Sequence, residues 1–424
     1  MTAQHSRVHH AALPLGQLHS RPATKEDLQS GQLVMLSDVD AKFLGRLMQQ
    51  VAANIKQCSM RQVANCLWAI AKVEHATCHT FKASSAWIAA ALAAAEHRMA
   101  SADPQHLASV AYALALCPAW LTYSKASYRL LHNLFAISHS KLDGFKPHEL
   151  SNLLWAAGTL HKHQLLRGDS RSAVAGCLSA AVELAAVRAA ELRSQEICNV
   201  FWAVGRLCGS SHKQVGVSQP GSAPGVQHEA LLPQPSMTSM ACLLQRADAL
   251  VAEMTPVGLA SLILSMGLLG VPQWVQQHTG TAQPLRSEPP PEAAAGSAGW
   301  VGTLLCNTES LLLQCGPAEL TSLIIGLAYM GIKPGTTWLK SWQNAAFAQL
   351  RSFSAQELAN STWALSRLSV PLSKQQLANL LLASAARMPG LAAAGAARLL
   401  PALADLGCRP SRVGDCLHNR KWHA

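Results

Sequence analysis

The chain has 424 residues, half of them hydrophobic and only 13% charged, enough apolar material for a large buried core. Lys and Arg number 34 against 23 Asp and Glu, giving a formal charge of +11 and a pI near 9.2, which favours a polyanionic partner. No stretch supplies the ~20 apolar residues of a membrane span, nothing near the N-terminus suits a secretory signal, and twelve cysteines without a CxxC pair argue for reduced core thiols, not a disulfide scaffold.

In chain order, residues 1–38 come first, with no acid before Glu26 and several basic residues and histidines. An acid-free basic start suits an organelle transit peptide, and a disordered N-terminus fits it equally. A first helix is predicted from Val39 to Gln57. A twelve-residue phrase then follows at Gln62–Val73 (QVANCLWAIAKV) and recurs at Glu149–Leu160 (ELSNLLWAAGTL), Glu196–Leu207 (EICNVFWAVGRL) and Glu357–Leu368 (ELANSTWALSRL). Eroded copies stand at His106–Cys117, Gly258–Leu269 and Glu319–Met330. A repeated phrase of this kind marks a repeat array.

The phrase reads as a helix. With its Asn or Ser as position zero (Asn65, Ser109, Asn152, Asn199, Ser261, Ser322, Asn360), aliphatic residues fall at −2 and apolar ones at +5 and +8. That spacing lines one buried stripe. Position +4 is always small (Ala69, Ala113, Ala156, Ala203, Ser265, Gly326, Ala364), which lets a neighbouring helix approach closely. Position +3 is aromatic in five copies (Trp68, Tyr112, Trp155, Trp202, Trp363) and reads as core before it reads as a base-stacking platform. Twenty-two residues before each zero, at positions such as Phe43, Trp87 and Trp338, a second helical stretch begins. One unit is therefore helix, short turn, helix. The last intact units repeat every 38 residues.

The predicted fold is all-α, a right-handed α-solenoid of about eight helix-turn-helix units, each touching only its neighbours. Repeats occupy 39–208, 237–275 and 299–408, the last ending in a degenerate cap where Arg398 takes the zero position and Pro401 the aromatic one. Segments 209–236 and 276–298, rich in Gly, Ser, Pro and Gln, read as disordered insertions between units. Residues 409–424 form a basic tail. His75, Cys78 and His79, and more weakly Cys408, Cys416 and His418, fit no zinc spacing, so no metal and no cofactor is expected. Phosphate loops, zinc helices and nucleophile elbows are missing, and the carboxylates are dispersed, so the chain reads as non-enzymatic with no small-molecule substrate.

The L-A-N-x-x-W-A-L-x-x-L phrase, in 38-residue helix pairs whose first helix opens near Trp338-Leu339 after Lys333 and Pro334, resembles the octotricopeptide repeat proteins of green algae. A looser likeness runs to the FAST-kinase-like organellar RNA proteins; the RAP domain that many members of both groups carry is not seen. The resemblance covers residues 40–408 and implies sequence-selective binding of single-stranded RNA in a chloroplast or mitochondrion. The implied role is transcript processing, stability or translation, alongside other RNA-processing or ribonucleoprotein components.

Two sets of side chains could meet such an RNA. One is position zero, where an Asn amide can pair with a base edge or tie down backbone within the repeat; near-identity between copies favours the second. The other is the variable position +7: Lys72, Leu116, Thr159, Arg206, Leu268, Tyr329 and Arg367. Arg61, Lys340, Arg351 and Arg398 are candidates for phosphates. The candidate RNA contacts are thus Asn65, Lys72, Ser109, Asn152, Thr159, Asn199, Arg206, Ser261, Ser322, Tyr329, Asn360, Arg367 and Arg398. The alternative is a scaffold whose groove holds another protein.

Overall fold

The computed structural model describes residues 38–77, 80–122, 126–166, 171–208, 230–271, 300–391 and 393–408. These form an all-α solenoid of eight helix pairs in two layers, with no strand among the described residues. The first helices of the pairs make a cover layer: α1 (Asp38–Asn54), α3 (Ser85–Arg98), α5 (Ala126–Ser140), α7 (Arg171–Val187), α9 (Met237–Leu250), α11 (Trp300–Leu311), α13 (Thr336–Ala348) and α15 (Lys374–Arg387). The second helices carry the phrase: α2 (Met60–Ala76), α4 (Pro104–Leu116), α6 (Pro147–Lys162), α8 (Ser194–Leu207), α10 (Pro256–Leu269), α12 (Pro317–Met330), α14 (Ala355–Arg367) and α16 (Ala393–Asp405). Each phrase helix packs most closely on the phrase helices before and after it.

The turn inside each unit is specified locally. From the second unit on, the cover helix closes in a short 3-10 turn, followed in most units by one extended, fully buried residue such as Phe145, Leu192 or Phe353. Burying each such side chain contributes about 2–3 kcal/mol. The next residue is the N-cap, and Pro stands at the first helical position of α4, α6, α10 and α12, where its missing N–H costs nothing. The Glu that opens the phrase reaches back to the N-cap backbone: Lys146 N–H donates to Glu149 (2.9 Å), Arg193 N–H to Glu196 (2.8 Å), Gly316 N–H to Glu319 (3.0 Å) and Ser354 N–H to Glu357 (2.7 Å). This is half of a capping box in each copy and the complete box in α14, where Ser354 also accepts from Glu357 N–H. Residues Gly270 and Gly331 end α10 and α12 in the left-handed conformation that glycine adopts without strain.

The small residue at +4 has a partner that the phrase does not advertise, the small residue at +6 of the preceding helix. A Cβ added at Gly158 would meet Ala203 Cα at 3.0 Å, and one at Gly205 would meet Ser265 Cβ at 3.0 Å. At Gly267 it would meet the Gly326 carbonyl oxygen at 2.6 Å. Backbone therefore packs on backbone along the phrase layer, tightest between α10 and α12. In the cover layer, large side chains fill the space instead. Trp338 donates to Thr308 Oγ1 (3.0 Å) and Trp342 to the Leu320 carbonyl (2.9 Å), both rings buried.

One insertion boundary differs from the sequence expectation. The segment expected to be disordered to 236 is ordered from 230: Leu231 and Leu232 N–H both donate to the Leu207 carbonyl, and both side chains are buried. Their apolar side chains cap the end of α8, which composition averaged over the Gly/Ser/Pro stretch concealed. Pro401 lies inside α16 and leaves it unbroken, since a terminal helix tolerates one lost hydrogen bond. Residues 1–37, most of 209–236, 276–298 and the tail from 409 lie outside the described residues, as do Cys78, His79, Cys416 and His418. Among the described residues every cysteine is a free thiol, no group of three potential ligands assembles, and no helix is long and apolar enough to cross a membrane.

Candidate nucleic-acid interface

Packing on three sides leaves each phrase helix a single free stripe, at positions −4, 0, +3 and +7, which are neighbours on one helical face. In α6 this is His148, Asn152, Trp155 and Thr159; in α8 it is Gln195, Asn199, Trp202 and Arg206. Laid side by side, the stripes form one face of the phrase layer. All but two of the sequence-predicted contact residues lie on it. Lys340 and Arg351 do not: they belong to the exposed side of α13 and the turn after it, where cover-layer charge is solvated.

The +3 aromatics are mostly buried, as expected of core residues: Tyr112 and Trp155 belong to the core, Trp202 and Trp363 pack half-buried against it, and Trp68 is exposed. They lie on the free stripe and are covered by each other and by +7 side chains. Trp68 is 39% exposed, whereas Tyr112 and Trp155 are 5% and 6% exposed because their rings stack, with centroids 5.0 Å apart. The Lys72 ammonium lies 5.4 Å from the Trp68 centroid and 5.6 Å from that of Tyr112, so it bridges two units. Arg206 lies over Trp202 at 4.4 Å, and Arg398 lies 6.0 Å from Trp363, which Tyr329 meets at 5.3 Å. Cation and aromatic ring thus meet at both ends of the face, in units one, two and four and again in units seven and eight. Arg367 is exposed at its edge.

The zero-position amides do not tie down repeat backbone. Asn199 Oδ1 accepts from Gln195 (3.0 Å) and Asn360 Oδ1 from Gln356 (2.9 Å), each pair being −4 and 0 on one stripe. Arg398 of the next unit also donates to Asn360 Oδ1, at 3.3 Å. Asn152 is half-buried and Asn65 exposed. Ser109 hydrogen-bonds its own helix, donating to the Gln105 carbonyl at 2.8 Å; Ser261 and Ser322 are half-buried on the same stripe.

No Asp or Glu occupies the four stripe positions in the first seven units. The acids have other tasks. Four cap phrase helices, as above, and burial raises the Glu319 carboxyl above the usual range. Glu74 is buried and accepts from Ala83 N–H (2.6 Å) and Trp120 Nε1 (3.1 Å), fixing the loop after α2. Glu191 pairs with Arg188 at 2.6 Å, and Glu96 pairs with Arg129 on the cover side.

One functional residue escaped the sequence reading. Lys162, one turn beyond Thr159 on the stripe of α6, is half-buried, and burial together with the nearby Arg206 charge pushes its ammonium down to about 8. Its neighbour His163 is also held below the usual imidazole range, by burial and by Lys162. The signal was present as the +10 continuation of the stripe, outside the twelve-residue phrase.

Fold and face together define a class: a two-layer α-helical repeat protein whose phrase-layer face carries cations and aromatic rings and, in its first seven units, no carboxylate; Asp405 stands at +7 of the eighth. Residues 284–413 match the family model described as Tbc2 translation factor, N-terminal domain, so this part of the chain is similar to that domain. Comparison with curated proteins gives no match.

Proposed function

We propose that the chain is a helical-repeat RNA-binding protein of an organelle, a chloroplast or a mitochondrion, that holds single-stranded RNA on the free face of its phrase layer. The observation that carries this reading is the face itself, where Lys72 and Arg206 lie over aromatic rings and no carboxylate stands in the first seven units. Phosphates meet Lys72, Arg206, Arg367 and Arg398, bases stack on exposed ring such as Trp68, and stripe amides such as Asn65 and Asn152 offer hydrogen bonds to base edges. The similarity of residues 284–413 to a translation-factor domain favours translation as the step controlled. The octotricopeptide resemblance agrees with an organellar address. The protein acts by binding, without catalysis.

Crosslinking followed by sequencing of bound RNA tests this. Enrichment of one or a few organellar transcripts, with crosslinks on phrase-layer peptides, is the expected result. Recovery of stable protein partners with no enriched transcript would assign the face to protein binding instead. A fluorescent fusion of residues 1–40 tests the address separately, and a cytosolic signal removes the organelle from the proposal.

A further inference from the structure

Arg206 stands at the middle of the face, and its surroundings do not neutralise it. The guanidinium is held over the Trp202 ring, and its Nε is buried without a hydrogen-bond acceptor. Arg206 is half-buried, and a charge partly withdrawn from water is normally paired. Here the acids of the nearest phrase helices, Glu149 and Glu196, are committed to their own N-caps. Instead of an acid, the charged group that the Gly158–Ala203 contact brings alongside Arg206 is a second cation, Lys162, at the end of the preceding phrase helix. Thr159, one turn before Lys162, has a buried hydroxyl without a partner. The glycine contacts draw α8, α10 and α12 together, which brings Tyr329 of α12 within electrostatic reach of Arg206.

We propose that Lys162, Arg206 and the Thr159 hydroxyl form a built subsite for one phosphodiester of the bound strand, with Trp202 as the platform that fixes the guanidinium. A phosphodiester has two non-bridging oxygens, matching a guanidinium fork on one side and an ammonium with a hydroxyl on the other. Its negative charge removes the repulsion between the two cations, which no side chain on the face does. Burial, and after it the Arg206 charge, hold the Lys162 ammonium down, and a bound phosphodiester would offset the second of these. Because the subsite is preorganised, it sets the register of the strand on the face. This rests on the RNA reading above and deepens it.

The test uses the full chain and a labelled oligouridylate long enough to span the face, with fluorescence anisotropy at low and physiological salt. Arg206→Met and Lys162→Met are each expected to weaken binding about tenfold. Each should also lower the slope of log affinity against log salt by about 0.7. Arg129→Met, which removes a cover-side arginine, should change neither. The thermal midpoint of Arg206→Met should stay level or rise, since a half-buried charge without an acid beside it is removed and Met still covers the Trp202 ring. A fall in its midpoint, with Lys162→Met binding normally, would make Arg206 a structural residue and overturn the subsite. The subsite also fails, while the RNA reading survives, if both variants bind like the native chain and Lys72→Met still weakens binding. Displacement of the strand by uridine monophosphate at comparable affinity would assign the pocket to a free nucleotide instead. Absence of any binding by the native chain would defeat both readings.

Discussion

Units three and four and units five and six share one backbone plan but present opposite faces. The helices α6 and α8 place His148, Trp155, Trp202 and Arg206 on the free stripe, whereas α10 and α12 place Val257, Leu264, Leu268, Ala318 and Ile325 there. Hidden positions hardly differ between the pairs. The +6 glycines Gly158, Gly205 and Gly267 each seat on the small +4 residue of the next helix. Packing therefore constrains −2, +4, +5, +6 and +8 and leaves −4, 0, +3 and +7 free to diverge. In the central units the free positions carry apolar residues with Ser261, Ser322 and Tyr329 and no cation, and the backbone contact is tightest, so this region is a spacer between two cationic stretches. The stretch on one side holds Lys72, Lys162 and Arg206; that on the other holds Arg367 and Arg398.

The strongest way to break the comparison is to attack the hidden contact. Gly326→Val places a Cβ 2.6 Å from the Ile263 carbonyl oxygen, and backbone cannot give way as a flexible side chain would. Loss of about 3 kcal/mol is expected, read as a lowered urea midpoint. Gly176→Ala in cover helix α7, whose nearest neighbour is His139 at 3.9 Å, should instead gain up to about 1 kcal/mol from helix propensity. Equal effects at the two sites would refute the asymmetry between layers.

A smaller loss is expected at the caps. Glu357→Ala removes the acceptor for Ser354 N–H at the start of α14 and should cost about 1 kcal/mol. Chemical denaturation measures it, and Glu309→Ala in cover helix α11 is the control that should change little.

Grafting sharpens the comparison from the other side. Leu268→Lys gives the spacer the cation that Lys72 gives unit one. It should raise affinity for single-stranded RNA about threefold and steepen the salt slope by about 0.7, measured by anisotropy. An unchanged slope would mean that the strand does not cross units five and six.

The gentlest probe is pH. The free Lys162 ammonium titrates near 8, with Arg206, His163 and His161 the other basic groups at this end of α6. A bound phosphate stabilises the charged ammonium, so its pKa in the complex is higher than in the free protein. Affinity is then fully present below pH 8 and declines as pH rises through 8, because binding must first recover a proton. A severalfold decline is expected between neutral and mildly alkaline pH, and Lys162→Met should flatten it. A decline of the same size in that variant would place the titrating group elsewhere.

Much of the architecture could be read from particular residues. The −2, +5, +8 spacing placed the phrase helices, and the 38-residue step fixed the pairing of helices into units. Small residues at +4 announced close approach, because their size is a steric requirement that no alternative side chain meets. The phrase Glu was visible, but its part in capping needed the N-cap geometry. The ordered stretch from 230 was hidden by its polar surroundings.

The sequence by itself determined that this is a repeated helix pair, which positions must be apolar or small, and that the chain is basic. These follow from helical periodicity and steric volume, which are local properties. Only the tertiary structure decided that the Tyr112 and Trp155 rings pack against each other across units, that +6 seats on +4 of the next helix, and that Lys162 comes alongside Arg206. Those relations join side chains 30 or more residues apart, and charge and stacking act through space, so they exist only once neighbouring units have packed.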